Sequence, residues 1–218
     1  MRWRWILWDL DGTLSDPGPG ITASIRFALE RLGYPVPSPG ELSWAVGPSL
    51  RDSFARLAGT QDPAVLDRLV AAYRERFIPT GMFENTVYPG ISDALAECAA
   101  AGQVLALATL KPAVFARRIL RHFGLCAHFR RVVGSYLDGR RGTKLQVVAE
   151  ALRLLGADPR SAVMIGDRAA DLEAAAACGM DAIGAGWGYA ARGELEGAHP
   201  MAVCGSVGEL RWVLGEGR

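Results

Sequence analysis

The sequence predicts an α/β fold in which helices cover both faces of a parallel β-sheet, with a helical domain inserted after the first strand. Two observations lead to this prediction. Short apolar segments that end in polar or glycine residues alternate with segments that have helical spacing of apolar residues. One long interval, between the first and second strands, contains helical spacing alone. Because strands that alternate with helices are joined by right-handed crossovers, the strands should form a parallel sheet.

The predicted strands are short, and helical patterns separate them. The strands are predicted at Trp5–Trp8, Val104–Ala108, Arg131–Gly134, Ala162–Ile165 and Ala182–Gly184. The helices of the same domain are predicted at Ile91–Ala101, Ala113–Phe123, Lys144–Leu155 and Ala169–Cys178. This pattern is typical of an open sheet with helices on both faces.

The inserted domain is predicted from three helical patterns, at Ile21–Leu32, Leu50–Ala58 and Ala64–Phe77. We therefore predict a core made of residues 1–15 and 86–218 and a helical cap at residues 16–85. Ligands of open α/β sheets bind beyond the carboxyl ends of the strands, where this insertion begins. The cap is expected to cover the site, exclude water and contact the substrate's leaving group.

The composition describes a globular protein without a polyanionic partner. Of 218 residues, 50% are apolar and 22% are charged, and the net charge is +1. This balance favours neither a nucleic acid polymer nor a membrane surface as partner. The sequence has no apolar run of the roughly 20 residues that span a bilayer, so we expect a cytoplasmic protein. The oligomeric state stays open. Four scattered cysteines are expected to be buried free thiols, namely Cys98, Cys126, Cys178 and Cys204.

The first predicted strand ends in two carboxylates, Asp9 and Asp11, followed by Gly12. A carboxylate can attack phosphorus and form an aspartyl-phosphate, which suits Asp9. A second carboxyl group two positions later can protonate the leaving oxygen and later accept a proton from water, which suits Asp11. Taken alone, the segment could equally be an Asp–Gly turn held by side-chain hydrogen bonds.

Two further residues follow strands at the same expected edge of the sheet. Thr109 could hold phosphate oxygens, although a helix N-cap is the simpler interpretation of this residue alone. Lys144 begins a predicted helix, where its charge opposes the helix dipole and requires an anion nearby. Only two of the 24 basic residues are lysines, Lys111 and Lys144. This scarcity favours a functional position over an exposed one for Lys144.

A second pair of carboxylates, Asp167 and Asp171, follows the strand at Ala162–Ile165. Together with Asp9 and Asp11 they would form a cluster of oxygen ligands suited to Mg²⁺. Four carboxylates in one pocket would repel one another without a cation. We therefore predict Mg²⁺ as the cofactor.

These motifs resemble those of the haloacid dehalogenase-like hydrolases over nearly the whole chain. The motifs match in order: Asp9-x-Asp11-Gly12-Thr13, Thr109, Lys144 and Gly166-Asp167-x-x-x-Asp171. The resemblance implies a Rossmann-like core and a phosphatase that forms an aspartyl-phosphate. It implies that Asp9 is the nucleophile and a metal ligand, that Asp11 is the acid/base and a ligand through its backbone carbonyl, and that Asp167 is the third protein ligand.

The resemblance also implies roles outside the ligand set. Thr109 and Lys144 would hold the phosphoryl group and orient the nucleophile, and Asp171 would reach the metal through water or fix Lys144. The inserted cap and several loop segments are similar to the phosphoglycolate phosphatase and bacterial 5′-nucleotidase-like branch. By that analogy Gly47 and Arg51 face the substrate. Leu110 departs from the small or polar residue that this branch often has there.

Other activities of the same scaffold fit less well. A dehalogenase would not need Asp11, and a phosphonate hydrolase would need a cap lysine, which residues 16–85 lack. A phosphosugar mutase shares every core residue and stays an alternative. So does a non-catalytic binding protein on this scaffold. The expected partner is a small phosphorylated metabolite, either a 5′-nucleotide or a phosphoglycolate-like compound.

Overall fold

The computed structural model describes residues 2–216. Its strands are β1 (Trp5–Trp8), β2 (Ser15–Asp16), β3 (Thr86–Val87), β4 (Val104–Pro112), β5 (Phe129–Ser135), β6 (Ala162–Gly166), β7 (Asp181–Ala185) and β8 (Ala202–Cys204). Its α-helices are α1 (Gly18–Arg31), α2 (Leu50–Ala58), α3 (Pro63–Arg76), α4 (Ile91–Ala100), α5 (Ala113–His122), α6 (Lys144–Leu155), α7 (Ala169–Ala177), α8 (Glu194–Gly197) and α9 (Val207–Glu216).

The chain divides into two compact units. One unit ends at Ser15 and resumes at Val87, and the other runs from Asp16 to Thr86. Strands β2 and β3 pair with each other at the two points where the chain passes from one unit to the other.

The first unit contains a parallel sheet, as predicted, and this sheet has six strands, one more than the five predicted. The strand order is β5-β4-β1-β6-β7-β8, and every neighbouring pair is parallel. Strand β1 lies in the middle, with Trp8 in register with Leu107 of β4 and Ile165 of β6. The carboxyl ends of these three strands therefore meet at one edge of the sheet.

Both faces of the sheet are covered. Leu7 packs in a core with residues of α6 and α7, including Val148 and Leu172. Because side chains alternate along a strand, Ile6 and Trp8 point to the opposite face, and both are also fully buried. The apolar residues of β1 are therefore buried on both sides, which explains why this strand reads as a continuous apolar run.

Strand β4 is longer than predicted. It continues past Ala108 to Pro112, because Thr109 pairs with Gly134 and, after a register shift, Pro112 pairs with Ser135. Strand β8 and helix α9 were not predicted. Strand β8 has only three residues, too few for a period to be recognised.

The second unit is helical, and α1 and α3 pack against each other. Tyr73 of α3 stacks on Phe77 with ring centroids 4.9 Å apart. Arg76 holds Glu84 through paired contacts of 2.8 and 2.9 Å. A 3₁₀ helix at Pro39–Ala45 belongs to the same unit.

The four cysteines are all free, but only two of them are buried as predicted. Cys98 and Cys204 are buried, whereas Cys126 and Cys178 are partly exposed. Among the helices of residues 2–216, none combines the length and the apolar character that crossing a bilayer requires.

Candidate active site

Asp9 is the first residue after β1 and is anchored by the neighbouring strand. Its backbone N–H donates to Ile165 O at 2.9 Å. The chain then turns sharply, since Gly12 N donates to Ser15 O at 2.8 Å and Leu14 N donates to Leu10 O at 2.9 Å. Asp9 is 6% exposed, so its carboxylate is held in a buried position at the edge of the sheet.

Gly12 is required by this turn for two reasons. Its φ of 81° lies in the left-handed region that glycine adopts without strain. A Cβ atom at this position would also lie 2.1 Å from Oδ2 of Asp167. The absence of a side chain thus lets the loop after β1 approach the carboxylate that follows β6. Thr13 Oγ1 donates to Asp167 Oδ1 at 3.3 Å and joins the same two loops.

Lys144 is brought to Asp9 by helix α6. Thr143 caps this helix by accepting from Gln146 N, and Lys144 is the first helical residue. The ammonium donates to Asp9 Oδ1 at 2.8 Å and to the carbonyl of Ala108 at 3.2 Å. The anion that a lysine at a helix N-terminus requires is therefore present.

Asp171 is the second anion beside Lys144. Its Oδ1 lies 2.6 Å from Lys144 Nζ, and its Oδ2 accepts from Arg168 N at 3.1 Å at the start of α7. Gly166 permits this packing, because a Cβ there would lie 2.4 Å from Asp171 Oδ2. Asp171 is completely buried, and its carboxylate contacts Lys144 directly.

The carboxylates and the ammonium shift one another's pKa. Burial raises the pKa of Asp167 well above its ordinary value, and the charges of Asp9 and Asp171 raise it further. Burial raises the pKa of Asp171 to about 6 against the opposing effect of Lys144. Burial would lower the pKa of Lys144, but Asp171 and Asp9 hold it above its ordinary value. Lys144 therefore stays charged and offsets part of the repulsion among the carboxylates.

Asp11 points to a lysine that was not predicted as a site residue. Lys111 Nζ lies 2.6 Å from Asp11 Oδ2, and the two side chains are 6% and 11% exposed. Burial raises the pKa of Asp11 above its ordinary value, although the ammonium of Lys111 opposes the rise. The scarcity of lysine was the signal that could have identified Lys111, since it is one of only two in the chain.

Thr109 lies close to the same edge but takes a local hydrogen bond. It is 2% exposed, and its Oγ1 accepts from Lys111 N at 3.2 Å. The preceding residue, Ala108, provides the carbonyl that Lys144 contacts. Thr109 is therefore the next residue along the chain after Ala108, whose carbonyl accepts from Lys144.

The segment Gly186-Trp187-Gly188-Tyr189, which follows β7, contacts the acidic cluster directly. Tyr189 N donates to Asp167 Oδ2 at 2.8 Å, and Trp187 Nε1 donates to Thr13 O at 3.2 Å. A Cβ at Gly188 would lie 2.3 Å from the Cβ of Asp167. This loop thus fixes the orientation of Asp167, a contribution that no sequence pattern predicted.

Gly47 and Arg51 belong to the helical unit. Gly47 has a φ of 106°, which favours glycine at this position. Arg51 Nη1 lies 2.5 Å from Asp67 Oδ1 on α3, and both side chains are substantially exposed. Within its own unit, Arg51 therefore makes an ion pair at the surface.

The buried carboxylates fit a divalent cation. Asp9, Asp167 and Asp171 each offer an oxygen, these oxygens lie within 4.8 Å of one another, and all three residues are buried. Oxygen-only ligands suit hard cations such as Mg²⁺. Lys144 supplies one positive charge against three carboxylates, so a cation would relieve the remaining repulsion. The side chain of Asp11 is turned to Lys111, which leaves its backbone carbonyl as the ligand that the resemblance implies.

Known proteins resemble this chain over nearly its whole length. It is 42% identical to a 5′-nucleotidase of Pseudomonas aeruginosa, over 98% of this chain and 96% of that protein. It is 39% identical to the tyrosine-protein kinase PtkA of Mycobacterium tuberculosis, over 96% of this chain and 72% of that protein. The crystal structure of a predicted phosphatase from Clostridium acetobutylicum has a TM-score of 0.93 at 37% identity and covers 98% of this chain and 99% of that one.

The family described as Haloacid dehalogenase-like hydrolase matches residues 6–185. This range begins in β1 and ends in β7, so it includes the residues of the acidic cluster and both lysines. The chain therefore belongs to the haloacid dehalogenase-like hydrolase family.

Proposed function

We propose that this protein is a Mg²⁺-dependent phosphatase that hydrolyses a small phosphomonoester through an aspartyl-phosphate on Asp9. The observation that carries the proposal is the placement of the Asp9 carboxylate. It is buried beside Asp167 and Asp171, paired with Lys144, and two residues before Asp11. The ammonium of Lys144 therefore orients the Asp9 carboxylate, and the same turn carries a second carboxyl group, that of Asp11.

The reaction proceeds in two displacements. An Asp9 oxygen attacks phosphorus as the bond to the leaving oxygen breaks, and Asp11 gives its proton to that oxygen, so the alcohol departs. Asp11 then takes a proton from a water molecule whose oxygen attacks phosphorus. The Asp9–phosphorus bond breaks, and inorganic phosphate and free Asp9 result.

The remaining residues hold the reacting groups. Asp9, the Asp11 carbonyl and Asp167 would hold Mg²⁺, which neutralises charge on the phosphoryl oxygens when bound. Lys144 and Thr109 would contact phosphoryl oxygens, and Asp171 keeps Lys144 in place through their 2.6 Å contact. The helical unit Asp16–Thr86 is proposed to act as a cap, with Gly47 and Arg51 as substrate contacts.

The substrate class is proposed from the family branch. A 5′-nucleotide or a phosphoglycolate-like metabolite is favoured by the resemblance of the loops and by the 5′-nucleotidase relative. A panel of 5′-nucleotides, phosphoglycolate and sugar phosphates, assayed for phosphate release with Mg²⁺, would identify the preferred class. Arg51→Ala should raise KM for that substrate more than for p-nitrophenyl phosphate if Arg51 contacts its leaving group.

The decisive test of the phosphatase proposal uses p-nitrophenyl phosphate and Mg²⁺. The wild type should release p-nitrophenol, and Asp9→Asn should show no turnover above background while retaining the thermal unfolding temperature of the folded protein. Absence of turnover in the wild type across the whole panel would overturn the proposal.

One relative favours an alternative function, in which the phosphoryl group is transferred to a protein tyrosine instead of to water. The tyrosine-protein kinase PtkA aligns with 96% of this chain. Incubation with ATP, Mg²⁺ and a tyrosine-containing protein tests the kinase activity, because a kinase leaves phosphate on a protein tyrosine, whereas the proposed phosphatase acts on phosphomonoesters and leaves none there. The mutase alternative is tested by following conversion of one sugar phosphate isomer into another.

A further inference from the structure

The ion pair between Lys111 and Asp11 joins two adjacent strands at the carboxyl edge of the sheet. Lys111 is near the end of β4, and Asp11 follows β1, which pairs with β4 in parallel. Nζ of Lys111 lies 2.6 Å from Oδ2 of Asp11. Both side chains are nearly buried, at 6% and 11% exposure, so solvent screens this pair only weakly.

The two lysines of the chain have parallel positions in the site. Lys144 contacts Asp9, the proposed nucleophile, and Lys111 contacts Asp11, the proposed acid/base. All other basic side chains in the chain are arginines, apart from its three histidines. An ammonium is a compact point charge, whereas the planar guanidinium is larger and binds carboxylates as a fork. A lysine can therefore engage one carboxylate oxygen without occupying the other.

Asp11 has such an unoccupied oxygen. Its Oδ1 is buried and has no hydrogen-bond partner among residues 2–216. Buried polar atoms without a partner are uncommon in folded proteins and require an explanation. Lys111 engages Oδ2 and leaves Oδ1 for another group.

The chemistry of the ammonium decides which oxygen can carry the proton. A lysine ammonium has three donors and no acceptor, so a protonated oxygen cannot donate to it. The ammonium binds an unprotonated oxygen more strongly than a protonated one, so its contact with Oδ2 favours Oδ1, the oxygen that lacks a partner, as the site of the Asp11 proton. This is the oxygen that the proposed reaction would use to protonate the leaving group.

We propose that Lys111 is a positioning residue that binds Asp11 through Oδ2 and reserves Oδ1 for proton exchange with the leaving oxygen and with the attacking water. The proposal rests on the phosphatase function proposed above. Lys111 forms no bond to phosphorus and gains or loses no proton in this reaction. The proton moves from Asp11 Oδ1 to the leaving oxygen and is replaced by one from water.

The test compares two substrates that differ in their need for an acid. The p-nitrophenolate ion departs without a proton, whereas the alkoxide of glycerol 2-phosphate must be protonated. General acid catalysis contributes about 100-fold to 10,000-fold, so we expect Lys111→Met to lower kcat for glycerol 2-phosphate by about 10-fold to 100-fold. For p-nitrophenyl phosphate the expected loss of kcat is within about 3-fold, because little proton transfer is required. A merely structural role would lower both values by the same factor.

A double-mutant cycle tests whether Lys111 acts through Asp11. Asp11→Asn should remove the proton donor, and adding Lys111→Met to it should then cost little further activity toward glycerol 2-phosphate. The proposal would be overturned if Lys111→Met lowered kcat by the same factor in the wild type and in Asp11→Asn. It would also be overturned if Lys111→Met lowered kcat by the same factor on the two substrates.

Two further variants keep the test interpretable. Arg211→Met removes an ion pair with Glu97 in the same unit and should leave both kcat values unchanged. Lys111→Gln is measured if Lys111→Met does not fold, and it should show the same substrate-selective loss, since it also lacks the charge. A wild type inactive on both substrates would contradict the phosphatase function itself, whereas an active wild type with a non-selective loss contradicts only the role of Lys111.

Discussion

Lys144 places its ammonium 2.8 Å from the Oδ1 atom of Asp9, and neither side chain is more than 8% exposed. The same ammonium is 2.6 Å from Asp171, so one cation serves two buried carboxylates. Removing one partner of a buried ion pair leaves an uncompensated charge and is strongly destabilising. The contact therefore links the stability of the core to the orientation of the proposed nucleophile.

We expect Lys144→Met to abolish phosphatase activity and to lower the free energy of unfolding by about 3–5 kcal/mol, since Asp9 and Asp171 lose their cation. Adding Asp171→Asn should recover part of the stability, because it removes one of the unpaired charges, but it should not restore activity. Urea unfolding measures both effects. A single mutant that is as stable as the wild type would contradict the role of this pair.

Mg²⁺ should raise the unfolding temperature, and EDTA should reverse the increase. A ligand at 100 times its Kd stabilises the folded state by about 2.7 kcal/mol. Asp167→Asn should greatly reduce the increase because it removes a carboxylate from the cluster. Glu173→Gln is the matched control, since Glu173 is exposed on α7 and should leave the increase intact. Differential scanning fluorimetry with and without Mg²⁺ measures the unfolding temperature. If Mg²⁺ left the unfolding temperature of the wild type unchanged, this result would argue against a metal site.

Gly12→Ala should inactivate the protein through Asp167. The new Cβ would meet Oδ2 of Asp167, and the φ of 81° adds backbone strain of about 1–2 kcal/mol. Gly124→Ala is the control because Gly124 has a similar φ of 71° but no atom within 4 Å of the added Cβ. Both variants should lose stability through strain, and only Gly12→Ala should lose metal-dependent phosphatase activity. Equal activity of the two variants would refute the proposed contact.

Cys204 should resist alkylation in the folded protein. Burial, with a contribution from Glu209, raises the pKa of the Cys204 thiol to about 11. The reactive thiolate is favoured above the pKa, so only about one thiol in a thousand is ionised at pH 8. Iodoacetamide labelling followed by mass spectrometry should detect modified Cys204 only after unfolding in urea. Rapid labelling of the folded protein at pH 8 would contradict its burial.

Local patterns were enough to predict the sheet domain. Trp5–Trp8 and Ala162–Ile165 are apolar runs because both faces of these strands are buried, and the polar residues that follow them mark the carboxyl edge. Parallel pairing then requires that edge to be shared, which predicted the proximity of the residues after β1 and β6. The predicted end of β4 at Ala108 was wrong, because the pairs that extend this strand to Pro112, Thr109 with Gly134 and Pro112 with Ser135, depend on the neighbouring strand β5.

The chemical groups at the strand ends could be predicted from the chain alone, since apolar periodicity and the spacing of Asp9, Asp167 and Lys144 are local properties. Which of these groups pair with one another became known only from the folded structure. Two examples are the ion pair of Lys111 with Asp11 and the hydrogen bond from Tyr189 N to Asp167. In each, the two residues are distant in the sequence and meet only in the folded chain. Pairing of this kind is set by sheet order, close glycine packing and loop conformation, which no single segment specifies.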